Sequence, residues 1–485
     1  MARSMMIPWS LLRMHGRTNV TICFCFLSSM LCAGQVAAQG GPGGQGGQGG
    51  NSGGAAGIVV DAEGVLHTRL VRDPSGQLQR QRLAQARANL NRDLARPSKM
   101  RKVSLNRLEA EIAAQFATGG GVTDEMNYLA GMTRIDYVFF YPESDDIVIA
   151  GPAEGFFENP VGRMMGFTSG RPVLRLEDLV VALRAFPPGR APTQIIGVSI
   201  DPTPEGLKRM RETWVQIGRR QLGPRPNSAQ TQSIVDALGD SLGRQTVTIK
   251  GVSAKSHFAQ VLVEADYRMK LIGIGLERPP VNIPSWVSRA KSSSIARNAL
   301  QRWYFIPDYE SVRVSEDDLA FELVGESVRL VSSDEMVTAD GGRIASSQVD
   351  RASQVFTTTF TKKYPELASR SPVFAELRNL IDLSLVAAFI QRQDYYGQAH
   401  WAMELFSSEQ EFPVENYTAP RQVETAVNAI WKGGRLLTPI GGGVLIQPLK
   451  ALAEGNQLAD DNGELKARRT TVSLDGLEDG QWWWD

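Results

Sequence analysis

Tyr137 to Tyr141 (YVFFY) is the stretch that most constrains the fold. Five consecutive aromatic or β-branched residues suit a buried strand. Pro142 to Asp146 is a turn cluster, and Ile147 to Ala150 is a second short apolar strand, closed by Gly151 and Pro152. Two strands around a five-residue polar loop predict a β-hairpin. Its strands demand a sheet and a large core around them.

The first 38 residues are read as standing outside that core. Arg3, Arg13 and Arg17 make a basic leader without an acidic residue, Val20 to Cys32 is short and mostly apolar, and Val36-Ala37-Ala38 supplies small residues. This is a signal-peptide pattern with cleavage expected after Ala38. No later stretch approaches the roughly 18 apolar residues of a membrane-spanning helix. Cys23, Cys25 and Cys32 all lie in the leader. The exported chain would therefore hold no disulfide, thiol nucleophile or Cys-ligated zinc. Without the leader, 49 basic residues face 52 acidic ones. No basic stripe with interleaved aromatics points to nucleic acid.

Residues 39–57 read as a Gly/Gln-rich flexible linker. Residues 58–121 form an N-terminal helical segment. It opens on a small hairpin at Ile58 to His67, and its second helix aligns Leu105, Leu108, Ile112 and Phe116. From residue 122 to 278, strands alternate with helices, which predicts a layered α/β domain. Leu176 to Phe186 is an amphipathic helix, Ile195 to Asp201 a buried-type strand, and Ser256 to Gly273 a long helix. Pro279, Pro280 and Pro284 mark a boundary. Residues 285–452 then predict an α+β domain, a β-meander followed by helices. One of those helices, Val373 to Gln391, is apolar nearly all round and belongs at the centre of its domain. Residues 453–485 read as a polar, mobile tail ending in Trp482, Trp483 and Trp484. The expected fold class is thus α/β and α+β.

Several blocks together are similar to a family. YVFFYPESDDIVIAGPAEGF, GRPVLRLEDLVVALRAF, ADYRMKLIGIGLE, RWYFIPDYE and FAELRNLIDLSLVAAFIQRQ resemble exported planctomycete proteins grouped only as a domain of unknown function. The resemblance spans about Val122 to Ile446. It implies export and a shared architecture, and it implies no activity, cofactor or catalytic residue.

The residues themselves offer few sites. Gly239-Asp240-Ser241-Leu242-Gly243 matches a nucleophile-elbow string, but the elbow needs a strand before the serine and a helix after it. Here the expected order is the reverse, and a helix end capped by Gly243 accounts for the string. His67, His257 and His400 lack a second ligand at metal spacing, so no metal or cofactor is expected. Asp201 ends a strand and precedes a helix, the place where α/β sheets collect ligands. His257 stands at a helix start. These two are the binding candidates within the core, and Trp482, Trp483 and Trp484 are candidate anchors for a partner surface. The functional expectation is a non-catalytic binding or cell-envelope structural protein, with envelope proteins or polymers as partners. The competing expectation is an exported hydrolase in which Asp201 and His257 meet within about 4 Å.

Overall fold

In the computed structural model, residues 54–219, 227–290, 299–337, 343–345, 350–428 and 441–485 are described. The cleavage position after Ala38 and most of the linker lie outside them. The chain opens with a hairpin, β1 (Gly54–Val60) and β2 (Val65–Arg72), so the last linker glycines already pair as strand. Helix α1 (Gln77–Asn89) leads to β3 (Ser98–Ser104) and α2 (Leu105–Ala117). The expected hairpin follows as β4 (Tyr137–Tyr141) and β5 (Asp146–Ala153). After β6 (Phe156–Glu158), β7 (Met164–Gly166) and α3 (Leu176–Ala185) come β8 (Ile196–Asp201), α4 (Pro204–Arg219), α5 (Ser228–Leu242), β9 (Gln245–Lys250) and α6 (His257–Gly273). The second half contributes β10 (Ala299–Pro307), β11 (Val312–Val314), β12 (Ala320–Leu323), β13 (Val328–Val337), β14 (Arg343–Ala345), α7 (Arg351–Lys362) and α8 (Pro372–Arg392). It closes with β15 (Gln422–Val423), β16 (Gly441–Ile446), β17 (Gln457–Ala459), α9 (Glu464–Thr471) and β18 (Trp483–Trp484).

The strands form two large mixed sheets. The nine-stranded sheet has the order β1-β2-β15-β9-β8-β16-β10-β13-β14, and the seven-stranded sheet β17-β11-β12-β4-β5-β3-β18. The fold class is therefore mixed α/β. Both sheets take strands from either side of the boundary expected at Pro279 to Pro284. β8 and β9 precede the prolines, yet they join β10 and β13 through β16, and β4 and β5 pair onward to β12 and β11. Strands that look like one meander are dealt to two sheets. Local periodicity reveals a strand but not its partner across the chain. Gly46–Asp485 accordingly forms one compact unit.

Helix α8 lies where expected, between the sheets. Every residue from Val373 to Ile390 is buried. Phe374 meets Phe305 of the nine-stranded sheet with ring centroids 6.1 Å apart, and Phe389 meets Phe321 of the seven-stranded sheet at 4.6 Å. Helix α6 packs across β8, β16 and β10. The glycines of β16 allow its close approach to the strands on either side: a Cβ on Gly442 or Gly443 would collide with the backbone oxygen of Trp303 in β10 or Val198 in β8.

The hairpin is buried on both faces, as a strand apolar at every position requires. Val138, Phe140, Ile147 and Ile149 enter the main core, while Phe139, Tyr141, Val148 and Ala150 point the other way into a second cluster. That second face is covered by Leu465, Val472 and Trp484. The expected mobile tail is thus folded back onto the sheet. Trp482 is buried in the main core, and Trp483 and Trp484 pair antiparallel with Val103 and Lys102 of β3. The Trp483 indole lies 4.6 Å from the Arg101 guanidinium, and Asp485 accepts two hydrogen bonds from that fully buried arginine at 2.9 and 3.0 Å. The three tryptophans proposed as an external anchor therefore pack inward. Asp146, counted in the sequence as a loop acid, is also buried, held by Arg107 at 2.8 Å and Ser104 at 2.6 Å.

Candidate functional site

The site grows from two helix starts that pack against each other. Leu176, Leu179, Val180 and Leu183 bury one face of α3, and Glu177 and Asp178 occupy its first turn. Acidic side chains there complement the exposed N–H groups of a helix start. Helix α6 begins after Ser256, whose hydroxyl accepts the Ala259 N–H at 3.1 Å, so His257 is its first residue. Packing α3 against α6 brings Asp178 to His257, with Nδ1 lying 2.8 and 3.1 Å from the two carboxylate oxygens. A carboxylate at Nδ1 places the proton there and fixes the ring's orientation.

Glu177, the neighbouring acid, organises a second group. Its Oε1 accepts a hydrogen bond from Arg175 Nη1 at 2.8 Å and another from the Tyr417 hydroxyl at 2.9 Å. The Tyr417 ring lies 5.8 Å from the His257 ring, which links the two groups. Burial works against the charge on Arg175, but Glu177 and Asp178 outweigh it and raise its pKa. Burial, followed by the charge on Glu177, raises the Tyr417 phenol, which stays a donor at neutral pH.

Arg175 stands between two spaces. Towards the interior is a pocket of about 10 Å³ bordered by Asp178, His257, Glu376 and Asn379, with room for about one water. Outward is a cleft of about 390 Å³ lined by Phe116, Asn127, Tyr128, Glu177, Phe412 and Asn416. Phe116 ends the apolar stripe of α2 and is 36% exposed. Tyr128 packs on Phe156 at 5.1 Å, and burial raises its pKa. The cleft volume falls within the range of small-molecule sites, and its walls mix aromatic with polar groups.

Asp201 lies in a different cluster. Arg302 of β10 holds it at 3.0 Å. Nearby on α6, Lys270 donates to Asp266 at 2.7 Å and to the carbonyls of Ile200 and Gly442 at 2.9 and 3.2 Å. Burial pushes the Asp266 carboxyl up to about 6 against the pull of Lys270, and burial lowers Lys270. The structure does not bring Asp201 and His257 together, because each is paired with its own partner.

The other candidates resolve locally. Ser241 sits in the last turn of α5 and donates to Leu238 O at 2.9 Å, with Gly243 as the helix cap and strand β9 after it. His67 bonds Asp61 at 3.0 Å, and His400 is exposed. Among the described residues no group of three metal-ligating side chains forms, and no helix is long and apolar enough to cross a membrane.

Sequence reasoning missed Arg175, Glu177, Asp178, Tyr417 and the cleft walls. The signal was Arg175-Leu176-Glu177-Asp178, two acids behind an arginine at the start of an apolar helix. His257 also needed a carboxylate 79 residues away, which spacing cannot reveal.

Residues 198–286 match a family described as "Protein of unknown function (DUF1598)". No curated protein matches the chain, and no solved structure matches it. The matched segment runs from β8 to just beyond α6, so it contains Asp201, His257, Asp266 and Lys270 but neither Asp178 nor the cleft walls. It identifies a domain of unknown function and brings no chemistry with it.

Proposed function

We propose that this chain is an exported, non-catalytic binding protein of the cell envelope, and that the cleft beside Arg175 receives its ligand. The observation that carries the reading is the cleft itself: aromatic walls next to a polar edge fixed by Arg175, Glu177 and Tyr417. A prearranged edge lowers the cost of ordering side chains when a ligand binds. The leader pattern of residues 1–38 supports export. His257 is oriented by Asp178, an arrangement that catalytic histidines also use, but among the described residues no serine or threonine hydroxyl is bonded to it to serve as nucleophile. One oriented imidazole does not make an acid, base and nucleophile set.

The test is a fragment screen read by NMR on three forms of the chain. Fragments bind the wild type and His257→Gln alike, and Phe116→Arg, which fills the cleft, abolishes binding. Turnover of any bound ester, amide or glycoside that disappears in His257→Gln would contradict the reading. N-terminal sequencing of the exported chain is expected to begin at Gln39.

A further inference from the structure

We propose that the cleft takes an uncharged sugar unit of a polysaccharide, a step that rests on the binding function above and specifies its ligand. Three features of the walls converge on this chemistry.

The first is charge. Arg175 and Glu177 neutralise each other at 2.8 Å, and Tyr417 completes the shell around the carboxylate. An anionic ligand would have to draw Arg175 away from Glu177, and a cationic one would have to draw Glu177 away from Arg175. A ligand without net charge uses the pair as it stands.

The second is hydrogen-bonding sense. The cleft presents the amides of Asn127 and Asn416, each with a donor and an acceptor, and the Tyr128 phenol. Asn416 Nδ2 donates to Pro413 O at 3.3 Å, and its amide oxygen is an acceptor. Glu177 adds acceptor capacity and Arg175 adds donors. Sugar hydroxyls both donate and accept, so a wall of mixed sense suits them better than it suits an ion of one sign.

The third is the apolar surface. Phe116, 36% exposed, and the partly exposed ring of Tyr128 offer aromatic surface beside these amides, over a floor formed by the buried Phe412. Pyranose rings are amphipathic in the same way, with C–H groups over one face and hydroxyls around the edge. Aromatic faces attract such polarised C–H groups, weakly for each contact and appreciably for a whole ring. A cleft of about 390 Å³ falls in the size range of sites for drug-sized ligands, so it accommodates a short stretch of a glycan chain.

The experiment is a calorimetric titration of the full chain with cellotetraose, maltotetraose and N-acetylated chitotetraose. A sulfated heparin tetrasaccharide and an uncharged Phe-containing tripeptide amide serve as rivals. At least one neutral tetrasaccharide is expected to bind, with a Kd that does not change from low to high salt. Phe116→Ala, a substitution at the surface, weakens it by about tenfold, and Asn127→Ala weakens it by several-fold. The sugar assignment is overturned if no neutral tetrasaccharide binds, if the sulfated sugar or the peptide binds more tightly, or if Phe116→Ala has no effect. Fragments that still occupy the cleft when every sugar fails would remove the ligand class and leave the binding reading standing. Failure of both would remove the two together.

Discussion

Two charge clusters share helix α6, one at its first residue and one near its end, and they make opposite use of similar residues. Lys270 and Asp266 are buried between the helix and the centre of the nine-stranded sheet, with Asp201 and Arg302 beside them. The Lys270 ammonium is used up on a carboxylate and two backbone carbonyls. Arg175, Glu177 and Asp178 are also paired, but their cluster borders a cleft, and Glu177 is 23% exposed. Charge and a strand-end position singled out Asp201 in the sequence. Access to solvent, and not charge, separates the two clusters. A buried pair fixes how helix and sheet meet, and a pair at the wall of an opening can also meet a ligand.

The largest effect should come from breaking the buried cluster. Lys270→Met removes the cation beside Asp266 and is expected to cost about 3–5 kcal/mol in urea unfolding. A loss below about 1 kcal/mol would show that this cluster does not lock the sheet. The next effect is a pH dependence. Asp266 titrates near 6 in the folded protein, above its ordinary value of 3.8. Between those values the native state holds a proton that the unfolded chain releases. Stability from this group therefore falls as pH rises from about 4 to 6, by on the order of 1 kcal/mol per pH unit. Asp382, also raised to about 6 by burial, contributes a slope of the same sign. Asp266→Asn should remove only its own share, measured as a difference from wild type across that range.

Smaller effects are expected at the open cluster. Asp178→Asn weakens the hold on His257 and the charge at the start of α3, and should cost about 1–2 kcal/mol. Its clearest sign would be a change in the His257 ring tautomer seen by nitrogen NMR. Phe116→Ala lies at the surface and should change stability by no more than about 1 kcal/mol while weakening binding in the cleft. A stability loss as large as that of Lys270→Met would erase the distinction between the two clusters.

Much of the scaffold was legible in the sequence because it rests on local pattern. The YVFFY strand, its hairpin partner and the all-round apolar α8 were each read from runs of neighbouring residues. The strand β3 was not, because Lys99, Arg101 and Lys102 disguise it. Arg101 is tolerated inside because its guanidinium meets four backbone carbonyls as well as Asp485. The tail was misread for a related reason. Its composition is polar, but Leu465, Val472 and Trp484 supply the second cover that a doubly apolar hairpin needs. Of the site, only His257 was legible. Asp178, Glu177 and Arg175 resemble ordinary charges at a helix start, and only the packing of α3 against α6 gives them a partner.

The most direct test is an NMR shift map of the chain with a cleft-binding fragment at saturation. Perturbations are expected at Phe116, Tyr128, Glu177 and Tyr417, with Asp201, Lys270 and Arg302 silent. Perturbations centred on Asp201 and Arg302, with the cleft unchanged, would contradict it.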